Sequence, residues 1–131
     1  MSLRHQLIEF AQCGNVSAIK TLLKQAEVSS EELSWPLQKA VLQNQYRAVK
    51  LLIEQGAAID SLVEGSTALI EASKQELYKI IKLLLKSGAN VDCQDTRGQS
   101  AITYTTQRKT VKLLKKYRVD FIIMVSKRGR I

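Results

Sequence analysis

The chain has little of the material from which small active sites and cross-linked domains are built. Its 131 residues hold one histidine, two cysteines and one proline. His5 has no cysteine or carboxylate pattern beside it, so neither zinc ligation nor histidine-based acid–base chemistry is indicated. No phosphate-cradling glycine loop, metal-ligand spacing or nucleophile motif occurs, and the twelve carboxylates are scattered. We therefore expect no catalytic residues, no metal and no cofactor. Cys13 and Cys93 lie too far apart along an elongated chain to meet, so both are expected to stay reduced.

Long apolar runs are missing too. The start, MSLRHQLIEFAQCGN, has no h-region of signal-peptide length, and Glu9 interrupts its pattern. The longest apolar run is Phe121–Val125, five residues against the roughly 18 of a membrane span. The expectation is a soluble, intracellular, cytoplasmic chain with no membrane span. Delivery from a bacterium into a host cell stays open.

Negative charge is scarce in one place only. Residues 1–96 carry 10 Lys/Arg and 11 Asp/Glu, a net charge of −1, whereas residues 97–131 carry 10 Lys/Arg and only Asp120, a net of +9. The whole basic excess therefore sits in the last quarter. Hydrophobic residues at 45% and charged residues at 24% are otherwise ordinary for a globular domain.

What the chain does have is a repeated phrase. Residues 51–60 read LLIEQGAAID and residues 83–92 read LLLKSGANVD, 32 residues later. Weaker echoes begin at Thr21 and Leu113. A period near 30–33 marks a stack of small units that bury a shared core between neighbours. Around Tyr78–Lys86, Lys79, Lys82 and Lys86 fall at i, i+3 and i+7, which predicts an amphipathic helix with one solvated face. Gly56 and Gly88 stand where such helices stop. Asp95-Thr96-Arg97-Gly98 reads as a turn. A shorter helix precedes each long one: one is expected to open with Pro36 at its first position, another with Thr67 as N-cap.

This order of turn, short helix, long helix and turn resembles the ankyrin repeat. Gly65-Ser66-Thr67-Ala68-Leu69, Ala72, Ile80 through Leu85 and Gly88-Ala89-Asn90-Val91-Asp92 carry the resemblance most closely, with Trp35-Pro36-Leu37, Ala40 and Val49 through Asp60 beside them. Where the family reads TPLH, this chain reads WPLQ, TALI and SAIT, so the family's histidine is absent. The resemblance implies an all-α solenoid of about four repeats. We place a degenerate N-terminal unit at 3–27, regular units at 28–60 and 61–93, a shortened unit at 94–120, and an apolar and basic tail at 121–131. The first unit lacks a leading hairpin. The last has lost about three residues around Gln107–Thr110 and carries Arg118 in place of the terminal glycine.

The resemblance further implies a non-catalytic module that grips a protein partner with hairpin tips and inner helices. Here those positions are near Trp35, Val63, Glu64, Ser66, Lys74, Gln75, Arg97, Gln99 and Arg108. Trp35 is either an exposed hot spot or a filler packed against the first unit. Lys20, Lys50, Lys82 and Lys112 recur at one repeat position and should line the outer helices as a solvated face, with Lys50 near Glu54. Glu9, Lys39 and Glu71 share an inner-helix position with alternating sign, which predicts pairing between stacked neighbours.

Two alternatives compete. In one, Arg108, Lys109, Lys112, Lys115, Lys116, Arg118, Lys127, Arg128 and Arg130 form a basic face for nucleic acid or an anionic surface. In the other, the 121–125 run serves self-assembly instead of folding back over the last Leu-Leu helix. A monomer is the expected state.

Overall fold

The computed structural model describes the main chain over residues 2–128 and the side chains over residues 2–118. Among these residues there are eight helices and no strands: α1 (Leu3–Cys13), α2 (Val16–Gln25), α3 (Ser30–Leu42), α4 (Tyr46–Glu54), α5 (Ala68–Lys74), α6 (Tyr78–Lys86), α7 (Ala101–Tyr104) and α8 (Arg108–Arg128). They pair as inner and outer helices. The inner row α1, α3, α5 and α7 packs in that order, and the outer row α2, α4, α6 and α8 packs alongside it. The sequence expectation of an all-α stack is met.

Periodicity explains the packing. On α4 the residues Ala48, Val49, Leu51 and Leu52 are buried while Lys50 and Glu54 face water; on α6 the buried set is Ile80, Ile81, Leu84 and Leu85. Ile19, Leu52, Ile81 and Leu84 are fully enclosed and run through successive units as one core with Leu7, Leu37 and Leu114. Burying one such side chain contributes about 1.5–3 kcal/mol. Lys20, Lys50, Lys82 and Lys112 are all exposed along the outer row, as expected.

The stops behave as read. Gly56, Gly88 and Gly98 have φ of +93°, +102° and +79°. The Thr67 side chain accepts a hydrogen bond from the Ile70 N–H at 3.2 Å.

Three expectations are corrected. Pro36 does not open its helix. α3 begins at Ser30, six residues earlier, with the Ser29 hydroxyl accepting from the Glu32 N–H at 3.2 Å. The Ser29-x-x-Glu32 spacing is that of a capping box, and this start outweighs the interruption caused by a proline inside the helix. Lys39 pairs neither with Glu9 nor with Glu71. Its Nζ lies 2.8 Å from Glu64 Oε1, because Glu64 is carried on the tip of the next hairpin, while Glu71 takes Lys74 at 3.2 Å on its own helix. Lys50 and Glu54 are not among the ion pairs of the described residues.

The third correction concerns the tail. The main chain stays helical from Arg108 to Arg128, so the 121–125 run continues α8 and does not fold back over Leu113-Leu114. With Arg118 where α4 and α6 are followed by glycine, nothing in the sequence halts the helix there. α8 therefore has 21 residues against nine in α6.

Candidate binding surface

The hairpin between α4 and α5 is built around two residues with positive φ, Glu64 at +52° and Gly65 at +81°. Val63 and Ser66 exchange both backbone hydrogen bonds across them, at 2.8 and 3.2 Å. Two left-handed residues in a two-residue loop define a type I′ turn. The tip is tied on both sides. The Gln38 Nε2 group donates to the Val63 carbonyl at 3.2 Å from the preceding inner helix, and the Thr96 N–H donates to the Gly65 carbonyl at 3.0 Å from the following hairpin. A Cβ on Gly65 would meet Thr96 Oγ1 at 2.9 Å, so the two hairpins are in close contact.

That following hairpin folds around Asp95. Its Oδ1 accepts from the N–H groups of Arg97 and Gln99, both at 2.9 Å, and its Oδ2 accepts from the Tyr104 hydroxyl. The hydrogen bond from Tyr104, then that from the Gln99 N–H, holds the Asp95 carboxyl below its ordinary range; the same bond pushes the Tyr104 phenol up. The Lys74 ammonium sits over the Tyr104 ring at 4.8 Å and pairs with Glu71. A polar chain of Glu71, Lys74, Tyr104 and Asp95 thus runs from α5 to the hairpin tip at Arg97.

The positions expected to meet a partner divide in two. Glu64, Arg97 and Gln99 are exposed at the tips, and Lys74 and Gln75 are exposed at the end of α5. Val63 and Ser66, by contrast, are 1% and 5% exposed. The alternation of the I′ hairpin turns their side chains inward, so they are structural and offer no contact surface. Arg108 is exposed but opens the outer helix α8, away from the hairpins. Trp35 is half-buried within α3, with the Arg4 guanidinium 4.1 Å from its ring centre, so it packs against the first unit. A cleft of about 300 Å³ lined by Arg4, His5, Ile8, Trp35, Lys39 and Glu64 opens beside it.

Sequence reasoning missed Gln38, Tyr104 and Glu76. Glu76, at φ +56°, accepts from Thr105 Oγ1 at 2.8 and 2.9 Å and from the Thr106 N–H at 2.9 Å, clamping the shortened last unit to its neighbour. Each of these partners lies nine to thirty residues away in sequence, beyond any local spacing signal. His5 sits exposed in the first turn of α1, its Nδ1 2.9 Å from the Ser2 hydroxyl. Both cysteines are free, and the Cys93 thiol is pushed up by burial and by the charges of Asp60 and Asp92.

On the basic side, Lys109, Lys112, Lys115, Lys116 and Arg118 are exposed on α8. Arg118 Nε lies 3.3 Å from Asp92 Oδ1, so one of these charges is locally compensated. The side chains of Lys127 and Arg128, and the whole of Arg130, lie outside the described residues. No described helix is long and apolar enough to cross a membrane.

The family model for ankyrin repeats, in three copies, matches residues 7–95, well over half of the sequence. The chain belongs to the ankyrin-repeat family, whose members generally serve as non-catalytic protein-interaction modules. A comparison with curated proteins finds no match.

Proposed function

We propose that this chain is a monomeric, non-catalytic module that binds a protein partner through its hairpin tips and inner-helix surface. The observation that carries the reading is the doubly pinned tip at Glu64-Gly65. Hydrogen bonds from Gln38 and Thr96 fix its backbone from both neighbours while Glu64, Arg97 and Gln99 stay exposed. A contact surface ordered before binding loses little conformational freedom when the partner arrives. Val63 and Ser66 serve that purpose from inside, and Trp35 fixes the first unit in place.

The test is a comparison of two faces. A partner captured from lysate is titrated against wild type, an inner-face variant (Gln75→Ala, Arg97→Glu, Gln99→Ala) and an outer-face variant (Lys20→Glu, Lys50→Glu). All these positions are exposed, so each variant should keep the wild-type helical spectrum. Affinity should fall about tenfold or more, equivalent to roughly 1.4 kcal/mol, in the inner-face variant alone. Loss confined to the outer-face variant contradicts the reading.

A further inference from the structure

The outer face of the last two helix pairs carries a feature that partner binding at the hairpin tips leaves unused. On α6, Lys79, Lys82 and Lys86 are exposed; on α8, Lys109, Lys112, Lys115 and Lys116 are exposed. Three of the α8 lysines, Lys109, Lys112 and Lys116, line a shallow cleft of about 280 Å³ together with Leu113 and, from α6, Tyr78. Lys82 stands one helical turn beyond Tyr78 on the same face of α6. Neither α6 nor residues 108–118 of α8 contains a carboxylate. Asp92 is paired with Arg118, and Asp120 is the one carboxylate in the sequence of α8.

The basic strip then runs into apolar sequence on one unbroken helix. Lys109, Lys112 and Lys116 follow one stripe of α8, and Ile123 and Lys127 occupy the positions seven and eleven residues beyond Lys116. The five residues Phe121–Val125 on this helix are all apolar in sequence. The extra length of α8 over α6, 21 residues against nine, amounts to roughly 18 Å of helix.

We propose that the α6–α8 face, with the apolar run of α8, docks on an anionic lipid surface. A cationic strip beside an apolar segment supplies both forces of peripheral membrane attachment: attraction to acidic headgroups and burial at the acyl boundary. Nucleic acid fits less well. Tyr78, the aromatic residue in the cleft, already has the Lys109 ammonium over one ring face at 4.5 Å. Seven of the nine exposed cations on α6 and residues 108–118 of α8 are lysines, which act as point charges, and one of the two arginines, Arg118, is already paired with Asp92. A five-residue apolar run adjoining the strip also has no role against a phosphate backbone.

The full chain is sedimented with vesicles of phosphatidylcholine alone and with vesicles containing phosphatidylserine. Binding should appear only with phosphatidylserine and weaken as salt rises. The variant Lys82→Glu/Lys112→Glu/Lys116→Glu should lose about a hundredfold in partitioning, at roughly a factor of five per lysine. Ile123→Ser should also weaken binding, at unchanged net charge. Both variants are checked for wild-type helical content and for a monomeric state without vesicles. Equal partitioning into both vesicle types overturns the proposal. So does unaltered binding of the lysine variant, tighter binding to duplex or single-stranded nucleic acid than to anionic vesicles, or sedimentation that reflects self-assembly alone. The inner-face variant of the preceding test should bind vesicles as wild type does, which separates the two readings.

Discussion

Gly65 occupies a position where two constraints coincide. Its φ of +81° lies in the left-handed region, and any Cβ would press on Thr96 Oγ1. Gly88 has the same sign of φ, but a Cβ there would meet nothing within 4 Å. Gly88→Ala should therefore cost about 1–2 kcal/mol from backbone conformation alone. Gly65→Ala should cost more than that, and urea unfolding of the two variants checks the order. Asp95 gives a second prediction at this scale. Its pKa is lowered on folding, chiefly by the Tyr104 hydroxyl, so its stabilising contribution is present above the unfolded value near 3.9 and lost as pH falls through the folded value. The stability gap between wild type and Tyr104→Phe should be full at pH 7 and narrow in strong acid. A gap unchanged down to pH 2 would show that the phenol acts through packing. Glycine stops, the Thr67 cap and the Asp95 turn are local devices, and all three were legible from sequence.

The elements tell a more mixed story. Outer helices were readable because their 3.6-residue pattern is undiluted: α4 and α6 bury one face and solvate the other. The start of α3 was misjudged because proline at a first helical position is a strong prior, while the cap at Ser29 lies upstream of it. Removing that cap with Ser29→Ala should cost about 1 kcal/mol, whereas Ser17→Ala on exposed α2 should be nearly neutral. Equal effects would mean that the first turns of α3 are held by packing and not by the cap. The partners of Lys39 and Glu76 were not readable, since each sits on a neighbouring unit some 25 to 30 residues away. Which side chains meet there depends on how the units stack, and the repeat pattern specifies that only for its apolar positions.

At the scale of the whole molecule, a stack in which each helix pair touches only its neighbours loses stability one interface at a time. Ile81 lies at 0% exposure in the middle, and Leu114 at 2% on the last outer helix. Either change to alanine removes about 2–5 kcal/mol of packing. Leu114→Ala should release amide protection in α7 and α8 while α3 to α6 keep theirs, whereas Ile81→Ala should loosen the middle and unfold the chain in one transition. Hydrogen exchange resolved by helix distinguishes the two. The departures from the repeat, the last unit's missing glycine at position 118 and the basic last quarter, were visible in sequence as broken pattern and uneven charge. Their form, one continuous helix carrying both features, depends on the missing stop at Arg118 and emerged only with the structure.

The central claim is that a protein partner rests on the pinned tips and the inner row. Side-chain footprinting of the chain, free and bound to its captured partner, tests this most directly. Protection at Glu64, Arg97 and Gln99, with Lys20, Lys50 and Lys82 as reactive as before, is the predicted result. Protection of those outer lysines with the tips left reactive would contradict it.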